Sequence, residues 1–176
     1  EDKRTAVETY LNIKYGIGIP LSSHCFYDYT SHPNQIAGIG KDVQQCLDQT
    51  ASQSAGIGSI LQISQPSDLQ HGEYLAWGHD NGSAQKADAS QNVPANIKER
   101  MSRTWRVQVT GEVGSVNLSF DLTGLGYDNI DERGLVILVD NDLDFSDATV
   151  YNLTEAINLN DGQYLSLAQR DYIRFK

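Results

Sequence analysis

WRVQVTGEVGSVNLSFDL, at residues 105–122, contains two runs in which apolar and polar side chains alternate. The apolar members are Trp105, Val107 and Val109 in the first run and Val116, Leu118, Phe120 and Leu122 in the second. A period of two is typical of a β-strand with one buried face. Because Gly111 and Gly114 separate the two runs, the pattern predicts an antiparallel hairpin.

Further strand patterns surround this segment. Residues 57–63 and 73–77 precede it, and residues 150–153 and 164–167 follow it. The run LVILV at 135–139 is apolar at every position, as expected for a strand that is buried on both faces. Strands at this spacing predict a mostly β, antiparallel sandwich-like domain.

One helix is expected at the N-terminus, over residues 2–15. Val7 and Leu11 fall at helical spacing with Lys14, whose alkyl stem extends the apolar face. All 176 residues fit one domain, in which this helix precedes a β region at roughly 36–168.

Two kinds of short internal repeat are visible. LQHGEYLAW at 69–77 is similar to LNDGQYLSL at 159–167, which predicts two equivalent turn–strand units in one sheet system. Gly-Ile-Gly occurs at 16–18, 38–40 and 56–58, and none of the three extends to a phosphate loop or a dinucleotide fingerprint. These glycines are therefore predicted to form turns.

Charge restricts the partners of the chain. It carries 23 acidic and 13 basic residues, a formal net charge of -10. Nucleic acid is not expected as a partner, because phosphate binding requires a basic surface. No apolar run approaches the roughly 20 residues of a membrane span. The one basic cluster, which fits a solvated face better than an anion site, is Lys98, Arg100, Arg103 and Arg106.

Aspartates alternate directly after the continuous apolar run. Asp140, Asp142 and Asp144, with Asp147 nearby, repel one another unless a cation lies among them. Oxygen ligands at alternate loop positions suit calcium. The segment is either a calcium site formed by these four carboxylates or a plain acidic turn. It lacks the glycine of an EF-hand loop, because Phe145 stands there and is expected to pack inward.

WGHDNG at 77–82 combines an aromatic ring, an imidazole and a carboxylate beside a tight turn. If exposed, these groups would suit a sugar ring or a peptide, whereas a buried Trp77 would belong to the core. The candidate ligand-binding residues are Trp77, His79, Asp80, Asn81 and, from the loop at 36–42, Asp42.

No catalytic motif accompanies these loops. The four histidines lack the spacing of a metalloprotease helix or a zinc pattern, and there is no nucleophile elbow. We therefore expect a non-catalytic protein. Cys25 and Cys46 would close a disulfide in a secreted chain and would remain two thiols in a cytosolic one.

Six motifs follow one another along nearly the whole chain. They are YLNIKYGI at 10–17, IAGIGKD at 36–42, GEYLAWGHDNG at 72–82, RTWRV at 103–107, DFSD at 144–147 and DGQYL at 161–165. In this order they resemble a domain of large bacterial surface proteins and adhesins, which often follows a concanavalin-like lectin domain. The resemblance implies an extracellular module at the bacterial cell surface, flanked by other domains of the same chain.

Three classes of function follow from these observations. The first is a calcium-stabilised adhesion module that binds a peptide or glycan of a host or neighbouring cell. The second is a structural spacer without a ligand, which burial of Trp77 and Trp105 without a cavity would favour. The third is a glycan-active enzyme, which requires two carboxylates across a cleft.

Overall fold

Antiparallel strands dominate the computed structural model, which describes residues 8, 11, 13–15, 27, 30–86, 91–127 and 130–170. In chain order the described strands are β1 (Asn34–Asp42), β2 (Leu47–Gln49), β3 (Ala51–Gln53), β4 (Leu61–Ser64), β5 (Glu73–His79), β6 (Ile97–Arg100), β7 (Trp105–Thr110), β8 (Ser115–Phe120), β9 (Leu135–Asp140), β10 (Thr149–Asn152), β11 (Ile157–Asn158) and β12 (Tyr164–Arg170). Two short 3-10 helices lie at Glu132–Gly134 and Phe145–Asp147. Within these ranges, no helix has the length and apolar character needed to cross a membrane.

The strands form two antiparallel sheets. The larger sheet has the order β10-β9-β12-β7-β5-β1-β2, with β6 paired to the later part of β12. The smaller sheet has the order β11-β8-β4-β3. Leu75, Val107 and Leu165 from the larger sheet share one apolar core with Ile63 and Leu118 from the smaller. The predicted mostly β, antiparallel sandwich-like fold is confirmed.

The predicted hairpin across residues 105–122 is wrong. Strand β7 pairs with β5 and β12 in the larger sheet, whereas β8 pairs with β4 and β11 in the smaller one. Alternation shows which face of a strand is buried but not which strand lies beside it. Gly111 and Gly114 both have positive φ values, and Val113 between them is buried where the chain crosses from one sheet to the other.

Two other strand predictions have different outcomes. The run at 135–139 is confirmed, because β9 lies between β10 and β12 and its first five residues are buried. The strand predicted at 57–63 begins only at Leu61, and Ile57 is fully exposed. Gly56 and its neighbours form the predicted turn, in which the Ser59 N–H donates to the Gly56 carbonyl.

The repeat between 69–77 and 159–167 corresponds to equivalent structure. Strands β5 and β12 lie on opposite sides of β7. A matching turn precedes each strand, with the Glu73 N–H donating to Gln70 at 3.1 Å and the Gln163 N–H donating to Asn160 at 3.3 Å. The glycine at the third position of each turn has positive φ, 86° and 79°, which side chains other than glycine rarely adopt.

A helical segment covers part of the outer face of the larger sheet. Residues 8, 11 and 13–15 are helical, and the other positions of the predicted helix lie outside the described residues. Its buried side chain is Ile13, whereas Lys14 is exposed, contrary to expectation. Ile13 lies over Gly38 and Gly40, so this Gly-Ile-Gly motif provides room within strand β1 and is not the predicted turn.

Candidate ligand-binding cleft

The loop predicted to bind a ligand turns its two ring side chains inward. Strand β5 continues to His79, so alternation along it directs Trp77 and His79 into the core. Trp77 is 1% exposed and His79 2%. The His79 ring packs edge-on against Trp105, with the ring centroids 6.4 Å apart. Trp77 is therefore a core residue, which is one of the two alternatives that the sequence left open.

His79 is held as a neutral imidazole. Its Nδ1 accepts a hydrogen bond from the Asn81 N–H at 2.9 Å, which places the ring proton on Nε2, 2.9 Å from Gln35 Oε1. Burial lowers the pKa of His79 to about 4, and the positive charge of Arg103 acts in the same direction. The imidazole therefore joins two segments of the fold and faces no ligand.

Asp80 and Asn81 shape the turn after β5. Asp80 Oδ1 accepts hydrogen bonds from the N–H groups of Gly82 at 2.9 Å and Thr104 at 3.1 Å. The Thr104 hydroxyl donates to Asp80 Oδ2 at 2.9 Å and lies 3.0 Å from Nε2 of the buried His32. Asn81 has a left-handed φ of 68°. This hydrogen-bond chain braces the loop against residue 104 and against the segment before β1.

Asp42 lies at the opposite end of β1 from this loop. Its Oδ1 accepts hydrogen bonds from the N–H groups of Gln44 at 2.9 Å and Gln45 at 3.3 Å, and its Oδ2 accepts one from the Tyr74 hydroxyl at 3.3 Å. Because the start of β1 pairs with His79 and its end pairs near Tyr74, the structure does not bring Asp42 to the other predicted ligand residues. Asp42 caps the turn between β1 and β2.

The acidic turn at residues 140–147 uses its carboxylates to fold its own backbone. Three aspartates each accept a hydrogen bond from an N–H one or two residues later: Asp140 at 2.6 Å, Asp142 at 2.7 Å and Asp144 at 3.2 Å. Asp147 is exposed, and Phe145 is fully buried as predicted. Across the described ranges, no three His, Cys, Asp or Glu side chains are grouped to hold a metal ion. Calcium binding here stays a prediction.

Cys46 is an exposed, free thiol in the turn between β1 and β2, with a φ of 53°. Cys25, its predicted disulfide partner, lies outside the described residues. Pairing of the two cysteines stays a prediction.

Two arginines of the basic cluster support the fold. Arg103 donates from Nε to the Gly82 carbonyl and from Nη1 to the Gly58 carbonyl, both at 2.9 Å. The Arg100 guanidinium lies over the Phe145 ring, 4.9 Å from its centroid. Lys98 is exposed, as expected for a solvated face, whereas Arg100 and Arg103 are half-buried.

A cleft of about 800 Å³ opens on a different part of the sandwich. Strand β11 pairs only with Ser115 and Val116, and the cleft lies beside the remainder of β8. Its apolar lining residues are Leu118, Phe120, Leu122, Tyr127, Ile130, Leu135 and Leu153. Its polar lining residues are Ser119, Asp121, Thr123, Arg133, Asn152, Thr154 and Arg170. Its volume is within the range of small-molecule and peptide pockets.

The charged and polar groups of the cleft are fixed in definite states. Hydrogen bonds from Thr123 lower the pKa of Asp121, which therefore stays ionised. Arg133 pairs with Asp131 through Nη2 at 2.6 Å and Nε at 3.0 Å, and these bonds lower the pKa of Asp131 to about 2. Burial raises the pKa of Tyr127 to about 12, so its hydroxyl stays neutral. Apart from Asp121, no described lining residue is a carboxylate.

Our sequence reasoning missed this cleft. Its residues belong to no motif, and they come from segments far apart in the chain. The available signal was Ile130, an apolar residue that no predicted strand used, together with Leu122 and Leu153 at the ends of predicted strands. Such residues are either buried under a neighbouring element or left at a binding surface.

Comparison of the chain with known proteins shows the family to which it belongs. No curated protein and no solved structure matches the chain. One family model matches residues 3–167 of the 176, which is nearly the full length. The chain therefore belongs to the family described as Domain of unknown function (DUF8202).

Proposed function

We propose that this chain is a non-catalytic, extracellular adhesion module of a bacterial surface protein, and that it binds a peptide in the cleft beside β8. The observation that carries the proposal is the cleft itself, which combines an apolar floor with a polar rim in about 800 Å³. Ligand sites have this composition, because apolar contacts supply affinity and a few polar groups fix orientation. Loops held on a rigid sheet scaffold are the usual location for such a site.

A peptide fits this floor better than a glycan. Sugar rings stack on exposed aromatic faces, whereas the Tyr127 residue is only 7% exposed and the Phe120 ring packs edge-on against Trp105, with the ring centroids 5.6 Å apart. Leu122 and Leu153 are partly buried against the core and supply aliphatic surface to the cleft. Aliphatic surface is the natural partner of an apolar peptide side chain.

The setting outside the cell rests on the motif resemblance described above. A module flanked by other domains of one long surface chain would present this cleft away from the cell. The acidic composition is compatible with that setting, because net charge of one sign keeps such a surface soluble.

A spacer without a ligand is the second candidate. It is favoured by the burial of both tryptophans, Trp77 at 1% and Trp105 at 2% exposure, which removes the aromatic faces that a ligand would contact. Under this alternative the cleft would have no function of its own.

Binding by the whole chain to a combined peptide and glycan array separates these candidates. We expect retention of peptides with apolar side chains, and we expect Leu153→Ala to weaken it several-fold. Leu143→Ala is the matched control, because Leu143 is 49% exposed in the acidic turn and does not line the cleft. Circular dichroism would show that both variants are folded.

Three results of this array would contradict the proposal. Retention of nothing on the array would favour the spacer. Retention of glycans alone would make the peptide assignment wrong. Equal effects of the two leucine variants would remove the cleft from the binding site.

A further inference from the structure

Arg170 contributes a guanidinium to this cleft. It ends strand β12, is half-buried and lines the cleft wall. No described residue forms a hydrogen bond or an ion pair with its side chain. The chain has 23 acidic residues against 13 basic ones, so an arginine without an ion pair among the described residues is unexpected here.

A second guanidinium lies at the neighbouring strand end. Gln169 pairs with Leu135 across β12 and β9, so Arg170 and Arg133 occupy adjacent positions where these strands meet the cleft. Asp131 already holds Arg133 through two nitrogens. Because the Asp131 carboxylate offsets the charge of Arg133, the Arg170 guanidinium supplies the positive charge on this side of the cleft.

The nearby Glu155 does not neutralise Arg170. Its carboxylate accepts hydrogen bonds from the Asn152 N–H at 2.9 Å and from Asn152 Nδ2 at 2.6 Å. These two bonds lower the pKa of Glu155, and the charge of Arg170 contributes to the same shift from a distance. Glu155 is exposed and engaged by Asn152, so no carboxylate of the described residues forms an ion pair with the Arg170 guanidinium.

We propose that Arg170 is the anion-binding group of the cleft and that the ligand is an acidic, apolar peptide. This inference rests on the proposed function and specifies its ligand. The planar guanidinium matches a carboxylate with two parallel hydrogen bonds, and partial burial strengthens such a contact. An apolar side chain next to that carboxylate packs on the partly buried Leu153. The carboxylate is that of an Asp or Glu side chain or of a peptide C-terminus.

The fluorescent probe N-phenyl-1-naphthylamine, which is apolar and uncharged, reports occupancy of the floor. Peptides that displace the probe are compared in matched pairs. Acetyl-Ala-Leu-Glu-Leu-Ala-amide is paired with its Gln analogue to test a side-chain carboxylate. The Gln analogue with a free C-terminus tests the terminal carboxylate.

We expect at least one carboxylate peptide to displace the probe at least tenfold more tightly than the neutral peptide. Arg170→Gln should abolish this preference, when the displacement by each peptide is corrected for the probe affinity of the same variant. Lys98→Gln makes the same charge change at an exposed residue outside the cleft lining and should alter neither quantity.

Each failure has a distinct meaning. A probe that does not bind, or that binds Leu153→Ala as tightly as the wild type, contradicts the proposed function and the inference with it. A probe that binds in the cleft while charged and neutral peptides compete equally contradicts the inference alone. An equal loss of preference in Lys98→Gln would show that net charge, and not Arg170, selects the ligand.

Discussion

Acidification from pH 7 to pH 5 should weaken the fold through His79. The side chain is buried and its pKa is lowered to about 4, against an ordinary value of 6.5. The unfolded chain therefore takes up a proton as the pH falls below 6.5, whereas the folded chain does not until about pH 4. The stabilising contribution of His79 is complete above pH 6.5 and is lost as the pH falls toward 4.

The size of this loss follows from the gap between the two pKa values. Each pKa unit corresponds to about 1.4 kcal/mol, so the loss reaches about 3 kcal/mol below pH 4 and is about 2 kcal/mol at pH 5. Urea unfolding at pH 7, 6 and 5 measures it directly. Wild type should lose about 2 kcal/mol more than His79→Gln between pH 7 and pH 5, because glutamine keeps an acceptor for Asn81 but does not titrate.

His71→Gln is the matched control for this experiment, because its imidazole is 49% exposed. This variant removes an imidazole but leaves the buried His79 in place, so the loss assigned to His79 between pH 7 and pH 5 should persist in it. The comparison uses the slope against pH, so any loss of stability in His79→Gln at pH 7 does not affect it. Parallel profiles for wild type and His79→Gln, or an NMR titration of His79 with a midpoint near 6.5, would refute the reasoning.

Three further perturbations test the packing and the acidic turn. Phe145→Ala should cost about 3–5 kcal/mol in a urea melt, because it empties a fully buried site, while Leu143→Ala should change stability by less than about 0.5 kcal/mol. Gly78→Ala should lower the free energy of unfolding by about 1–3 kcal/mol, because the added Cβ would overlap the His32 carbonyl. Gly38→Ala should lower it less, since the nearest atom would lie 3.2 Å from the added Cβ. Equal losses of stability in the two variants would contradict this ranking. Calcium at ten times its dissociation constant should stabilise by about 1.4 kcal/mol and raise the melting midpoint by about 3–6 °C, whereas a midpoint unchanged between millimolar calcium and chelator would remove the calcium prediction.

The sequence predicted which side chains are buried better than it predicted their partners. Leu118 and Val107 belong to clean alternating runs, and both are buried. The same alternation holds whether two strands share a sheet or face each other across the core, so it could not show that β7 and β8 lie in different sheets. The continuous run of β9 was more informative, because a strand that is apolar at every position requires cover on both faces.

Polar motifs were poor guides to the candidate site for a related reason. Trp77, His79 and Asp80 have the right chemistry for ligand binding, but the length of β5 decides which of them is exposed. Polar loop groups also satisfy their own backbone first, as Asp80 and Asp142 do here. A local sequence pattern cannot show whether a side chain is already engaged by its neighbours in three dimensions.

The two faces of the larger sheet are covered unequally, and this difference favours a binding module over a spacer. On the outer face, Ile13 lies over β1 and Phe145 packs on Val136 and Leu138 of β9. On the inner face, β11 has only two residues, so the later part of β8 pairs with β4 on one edge and has no neighbouring strand on the other, and Leu153 stays only partly buried there. A few more residues in β11 would bury this apolar surface and stabilise the fold by about 25 cal/mol for each Å² covered. A spacer has no reason to forgo that stability, whereas a domain that binds an apolar peptide needs this surface uncovered.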